Sequence, residues 1–304
     1  MSPVVKVENL SCALPDSTLL LDDISLTVEP GECVLLCGRS GAGKTTLTKC
    51  LNGLIPHFEP SVTRMGEVEV CGKDPATCEA YELALDVGNV FQNPKSQFFN
   101  LTSDDELAFG LEVAGASPDV IEKRVAQVVS ALSIESLTNR NVNHMSGGEK
   151  QSLVFASTEV AGPQLYILDE PTANLDHAAT LKMREQIEAA LNEGKTVIVA
   201  EHRLDFISDL VTRALLIDNG RIARSMTSKE LLELDSVELE ELGLRNPNHK
   251  RIESISAKCK ADEGEEGGGR GLVVQGLTVE RKGKDVFKPC LLYTSPSPRD
   301  TERS

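Results

Sequence analysis

An apolar pentapeptide, Cys33-Val34-Leu35-Leu36-Cys37, runs directly into Gly38-Arg39-Ser40-Gly41-Ala42-Gly43-Lys44-Thr45, and a helical stretch from about Lys44 to Asn52 follows. No other segment restricts the fold as much. It satisfies the spacing G-x-x-x-x-G-K followed by Ser or Thr, between a buried strand and a helix. Glycines let the backbone wrap closely around phosphate groups, and the helix presents its N–H groups and positive dipole end to them. Lys44 reaches the outer phosphates, and the Thr45 hydroxyl is placed for Mg²⁺. Gly38, Arg39, Ser40, Gly41, Ala42, Gly43, Lys44, Thr45 and Thr46 are therefore candidate nucleotide contacts. A chance glycine loop is the competing reading, and the strand–loop–helix context argues against it.

Short strands are expected at 4–10 and 24–28, followed by a Pro30-Gly31 turn, and central parallel strands at 165–168 and 196–200. Residues 178–192 carry a helical pattern that Gly194 closes as a C′ residue. Strand–helix–strand order with continuous apolar strands predicts a parallel α/β sheet. Residues 100–160 are mostly helical and read as a helical subdomain, about 95–160, inserted between two halves of that sheet.

The apolar strand Leu165-Tyr166-Ile167-Leu168 delivers Asp169 and Glu170 to the sheet's carboxyl edge, where open α/β sheets bind ligands. Asp169 is a candidate Mg²⁺ ligand, and Glu170 a candidate general base for an attacking water. An acid after an apolar strand also occurs at ordinary helix N-caps. Farther upstream, Met145-Ser146-Gly147-Gly148-Glu149-Lys150-Gln151 contains an S-x-x-E capping box. A well-capped helix would suffice to explain it, except that each glycine in a first turn costs about 1 kcal/mol relative to alanine. Two of them make sense if backbone must approach a phosphate.

Phosphate loop, glutamine, Ser-Gly-Gly, aspartate–glutamate pair and histidine occur in this order in ABC ATPases, and residues 4 to about 235 resemble that family. The resemblance implies a P-loop NTPase parallel sheet core with an N-terminal antiparallel β layer and the inserted α-helical subdomain. It implies that Gln92 (in VFQNPKSQFF) joins Mg²⁺ and the catalytic water to the helical subdomain, and that His202 is the switch histidine. By the same resemblance Asp176 belongs to the D-loop, and Ser146, Gly147, Gly148 and Glu149 contact ATP held by a partner domain. Two positions depart from the family: Leu14 stands where an aromatic residue usually stacks on adenine, and Glu149 replaces the usual signature glutamine. Within the family, FQNPKSQFF, DELAFGLE, MSGGEKQ and AEHRLDFI look most like ATPases of energy-coupling factor transporters, which import vitamins or transition-metal ions. The implied partners are a second ABC ATPase domain, an integral transmembrane coupling subunit and a substrate-binding membrane subunit. Soluble ABC ATPases uncoupled from transport and non-hydrolysing regulatory domains are the rival readings.

The net charge of −16 argues against a nucleic-acid partner, which needs a positive footprint. It also requires that any ATP site be made positive locally. The start of the chain holds no apolar signal region, and no apolar run approaches the roughly 20 residues that span a bilayer. The expectation is a peripheral protein on the cytoplasmic face of the membrane. Eight cysteines without a C-x-x-C pair indicate neither zinc nor a disulfide framework.

The compact domain is expected to fade near residue 240, followed by a polar, glycine-rich linker over 241–270. Val274-Gln275-Gly276-Leu277-Thr278 echoes Val7-Glu8-Asn9-Leu10-Ser11, so 271–289 reads as the start of a second, truncated copy of the domain. Residues 290–304 abandon the pattern and read as an unstructured or artefactual tail.

Replacing Lys44 with alanine removes the only side-chain cation expected at the outer phosphates. Equilibrium titration should show nucleotide binding abolished; an affinity within about threefold of the parent would refute the phosphate-loop assignment.

Overall fold

The computed structural model describes residues 2–242, 244, 279–281 and 284–287. Two compact units divide the chain, residues 1–249 and 250–304. In the second unit the described residues form two antiparallel strands, β10 (Val279–Arg281) and β11 (Lys284–Phe287), with Arg281 facing Lys284. The tail 290–304 and almost all of the linker 241–270 lie outside the described residues.

The first unit contains two sheets. Strands β1 (Val5–Ala13), β2 (Leu19–Val28) and β4 (Thr63–Val70) form an antiparallel sheet in the order β2-β1-β4. Strands β3 (Cys33–Cys37), β5 (Val87–Val90), β6 (Leu165–Asp169), β7 (Thr196–Ala200), β8 (Arg213–Asp218) and β9 (Arg221–Thr227) form the second, in the order β5-β6-β7-β3-β8-β9. Only β9 runs antiparallel to its neighbour there. The antiparallel layer and the parallel core both match the fold expected from sequence. The first two strands run longer than the pattern indicates because each continues past a residue in the left-handed region, Asn9 (φ 50°) in β1 and Asp23 (φ 55°) in β2, which breaks the alternation.

Helices cover the sheets: α1 (Lys44–Leu51), α2 (Leu54–His57), α3 (Ala80–Ala84), α4 (Ser103–Val113), α5 (Pro118–Ala131), α6 (Gly147–Ala161), α7 (His177–Asn192), α8 (Ser228–Glu233) and α9 (Ser236–Glu241). β3 shows why two cores exist. Cys33, Leu35 and Cys37 point to one face and join Phe155, Tyr166, Met183 and Ile187. Val34 and Leu36 point to the other and join Leu47, Leu51 and the antiparallel sheet. A strand buried on both faces reads as an unbroken apolar run, because alternation separates destinations rather than polarity. Each such fully buried large side chain contributes roughly 1.5–3 kcal/mol. Among the described residues no helix is long and apolar enough to cross a membrane.

The helical insertion is less separate than its sequence suggests. The capping box Ser146–Glu149 starts α6, and Gly162 ends that helix in the left-handed conformation (φ 72°). The second half of α6 lies on the parallel sheet, where Phe155 stacks on Tyr166 of β6 with ring centroids 5.4 Å apart. Packing also continues past residue 240, since Leu244 is buried in the same core.

The contact between α6 and β5 depends on Gly88. A Cβ there would stand 2.3 Å from Thr158 Cγ2 and 2.8 Å from the Pro163 ring. Gly88→Ala should therefore cost about 1–3 kcal/mol, measured as a lower urea midpoint with the slope m unchanged.

Candidate functional site

The phosphate loop is built by chain segments far apart in sequence. A Cβ on Gly38 would lie 2.1 Å from the Ile217 carbonyl oxygen at the end of β8, so only glycine fits. The Gly220 N–H donates to the Ala42 carbonyl at 2.9 Å. Lys44 folds back into the loop, its Nζ donating to the carbonyls of Gly38 (2.8 Å) and Arg39 (2.9 Å), and is only 5% exposed. Gly43, at φ 113°, stands at the N-cap of α1 without a side-chain cap, which leaves the first N–H groups of that helix to an external acceptor.

Beside this loop, β6 ends in Asp169, and the Thr45 hydroxyl donates to its Oδ1 at 3.2 Å. Burial raises the Asp169 pKa above its ordinary value; Thr45's hydrogen bond and Lys44's charge oppose that shift, while Glu170 adds to it. The next residue, Glu170, sits in the left-handed region at φ 45°. Such a conformation costs a non-glycine residue about 1–3 kcal/mol. It is held by the Glu170 N–H, which donates to Ala200 O at 2.8 Å, and by Gln92, whose Nε2 donates to Glu170 Oε2 at 3.0 Å. His202 Nδ1 stands 3.9 Å from Glu170 Oε1 and 3.2 Å from Glu201 Oε1.

Tertiary packing thus gathers Thr45 with Asp169, and Gln92 and His202 with Glu170, from four separate segments. A carboxylate held at a sheet edge by an amide donor, with an imidazole nearby, can take a proton from a bound water.

The glycine-rich segment at residues 146–149 occupies a different place. Ser146 to Glu149, Asn174, Asp176 and Lys182 line a cavity of about 450 Å³, and no residue of 38–46 lines it. The capping box is present: Ser146 Oγ accepts from the Glu149 N–H at 3.3 Å, and Glu149 Oε2 accepts from the Ser146 N–H at 2.7 Å. The paired glycines differ. Gly148 answers to packing, because a Cβ there would stand 2.5 Å from Ala179 Cβ on α7. Gly147 meets nothing nearer than the Asn174 carbonyl oxygen at 3.8 Å, so packing within the chain does not require that glycine. Asp176 is the N-cap of α7, accepting from the Ala179 N–H at 2.8 Å. Leu14 leans, half-buried, on the core beneath the antiparallel sheet.

The carboxylate that Glu149 introduces is not left bare. Arg140 Nη1 donates to its Oε1 at 2.6 Å, and the two hydrogen-bond partners hold its pKa down at about 2. Sequence reasoning missed Arg140, and it also missed Glu201. This fully buried carboxylate accepts from Thr172 Oγ1 (2.7 Å) and from the N–H groups of His202 (2.9 Å) and Arg203 (3.2 Å), which fixes the turn that presents His202. Its signal was present as an acid directly after an all-apolar strand.

Three comparisons bear on this geometry. The family model described as ABC transporter matches residues 21–173. An inferred ABC transporter ATP-binding protein of Treponema denticola is 39% identical over 86% of this chain and 53% of its own length. Another from Methanosarcina acetivorans is 37% identical over 83% of this chain and 41% of its own length. The chain thus spans about half the length of the curated relatives it matches. Among solved structures, cbiO1 from Clostridium perfringens, part of the ABC transporter complex cbiONQ, is similar at 27% identity with a TM-score of 0.70. That likeness covers 84% of this chain and all of the other. A nucleotide-free ATP-binding cassette from an ABC transporter shares the fold at 22% identity, with a TM-score of 0.66 over 78% of this chain and 98% of its own.

Because the folded-state pKa of Glu149 is depressed from 4.5 to about 2, its contribution is complete above pH 4.5 and is lost as pH falls through 2. Arg140→Met should lower the thermal midpoint at pH 7 by an amount worth at most about 1 kcal/mol for so exposed a pair. That deficit should shrink as pH falls from 4.5 toward 2. A deficit independent of pH would show that the ion pair is not its cause.

Proposed function

The chain belongs to the ABC transporter family, and from that premise we propose that it binds and hydrolyses ATP to power a membrane transporter. The observation that carries the reading is the convergence of Gln92 and His202 on Glu170, one residue beyond the Asp169–Thr45 pair. Phosphoryl transfer asks a protein mainly to position the nucleophile and to stabilise charge. Loop N–H groups from Gly38 to Thr46 and the Lys44 ammonium take the phosphates. Glu170 accepts the proton of the attacking water, and Gln92 and His202 hold that carboxylate and water in line. Leu14 offers an apolar surface to the base in place of a ring.

The residues present fit Mg²⁺. Thr45, Asp169 and Gln92 supply hard oxygen atoms, and among the described residues no group of three or more His, Cys, Asp or Glu forms a complete metal cage. An ion that draws its remaining ligands from phosphate and water suits such a site. When bound, Mg²⁺ neutralises phosphate charge.

The cavity at Ser146–Glu149 contains no phosphate-loop residue, which supports a head-to-tail pair in which this segment and Asp176 meet ATP held by a second ABC ATPase domain. That partner is a second copy of this chain or a tandem domain. Relatives about twice as long favour the tandem arrangement, with 241–270 as linker and 271–289 opening the second domain. Likeness to cbiO1 supports an assignment to energy-coupling factor transporters: a peripheral subunit on the cytoplasmic face, working with a transmembrane coupling subunit and a substrate-binding membrane subunit. On this reading the cargo is a vitamin or a transition-metal ion.

Glu170→Gln should retain ATP binding and lose roughly two or more orders of magnitude in hydrolysis. Specific activity of the parent chain should rise with protein concentration as pairs form. Unchanged turnover in the variant would move the base elsewhere, and a rate per chain flat down to nanomolar would refute the paired site.

A further inference from the structure

Two glutamine side chains hold the backbone on either side of the Phe91 Cα, just before Gln92. The Phe91 N–H donates to Gln97 Oε1 at 2.8 Å, and the same side chain donates through Nε2 to the Asn89 carbonyl at 2.9 Å. Gln97 thereby closes the loop 91–97 as a backbone strand would, with both its amide groups in use. The Phe91 carbonyl accepts from Gln151 Nε2 at 3.3 Å. Gln151 lies in α6, two residues beyond Glu149, and is only 1% exposed. A helix is stiff over one turn, so displacement of its first residues displaces Gln151 as well. One residue beyond Phe91, Gln92 donates to Glu170.

We infer that Gln151 is a positioning residue for hydrolysis: through the Phe91 carbonyl, it couples the placement of Gln92 against Glu170 to the position of the α6 N-terminus. The inference rests on the reading of Glu170 as the hydrolytic base. Its consequence is that engagement of Ser146–Glu149 by a nucleotide-bearing partner is reported to the carboxylate over a short covalent and hydrogen-bonded path. Gln97 holds the preceding Val90–Phe91 peptide, so the chain is anchored just upstream of the carbonyl that Gln151 contacts.

Gln151→Met keeps the length of the side chain and removes its donor. In the full chain, kcat for ATP should fall about tenfold with KM within about threefold, the size of one lost hydrogen bond in the transition state. In a Gln92→Ala background the same substitution should cost nothing further, since the path ends at Gln92. An equal loss in both backgrounds would mean a merely structural glutamine and overturn the inference. A second measurement does not depend on turnover. Amide hydrogen exchange over residues 89–97 should quicken in both Gln151→Met and Gln97→Met while other segments hold their rates. Unchanged exchange there overturns the clamp even if Glu170→Gln proves inactive. Wild-type turnover by Glu170→Gln instead overturns the underlying reading, so the two failures are told apart.

Discussion

The phosphate loop is wedged between two backbones, and most of the remaining architecture exists to hold that wedge. The Ile217 carbonyl fills the space where a Cβ on Gly38 would stand, and the Gly220 N–H pins the Ala42 carbonyl. Both braces come from the β8–β9 hairpin, almost 180 residues downstream of the loop. The hairpin is itself tied to the antiparallel sheet, where the Asp22 N–H donates to the Gly220 carbonyl at 2.8 Å. Both sheets of the first unit therefore meet at one loop, and its shape is set by the fold itself. Preorganisation of this kind spares a binding site the cost of ordering its backbone later.

Electrostatics follow the same logic on a chain whose net charge is −16. The acids that matter are each given specific donors. Glu201 has a hydroxyl and two backbone N–H groups, Glu149 has Arg140 and a backbone N–H, and Asp169 has Thr45. At Asp169 burial outweighs the stabilising partners, so a cation beside it would favour its charged form. Glu170 stands in a strained backbone conformation that the β7 carbonyl and Gln92 maintain. Strain retained at the edge of a binding site is common where a side chain must face a ligand instead of a core.

Several elements were not legible in the sequence, for identifiable reasons. β4, with Glu67 and Glu69 between its apolar residues, and β5, only four residues long, carry too little apolar pattern to stand out. The β8–β9 hairpin did leave a signal that the reading passed over. Asn219-Gly220 between two strand-like runs is the strongest short hairpin mark, and both residues adopt the positive φ it demands (47° and 77°). Gln97, Gln151, Arg140 and Glu201 are ordinary surface-type residues by composition. Their importance lies in what they touch, and contacts between residues 60 apart, as for Gln151 and Phe91, leave no local pattern.

By itself the sequence determined the phosphate loop, the parallel core strands, the capped helix at Ser146 and the acid pair after β6. Each is a local feature in which spacing and residue type carry the physics directly: glycine for positive φ, alternation for two buried faces, Ser and Glu three apart for a cap. Only the tertiary structure decided that Thr45 meets Asp169 and that Gln92 meets Glu170. It also decided that Gly148 serves packing against Ala179, and that Ser146–Glu149 lines a cavity without the phosphate loop. Those outcomes depend on strand order, β5-β6-β7-β3-β8-β9, which brings the ends of distant strands side by side. Strand order is settled by the summed burial of both sheet faces, a global quantity that no single stretch of sequence contains.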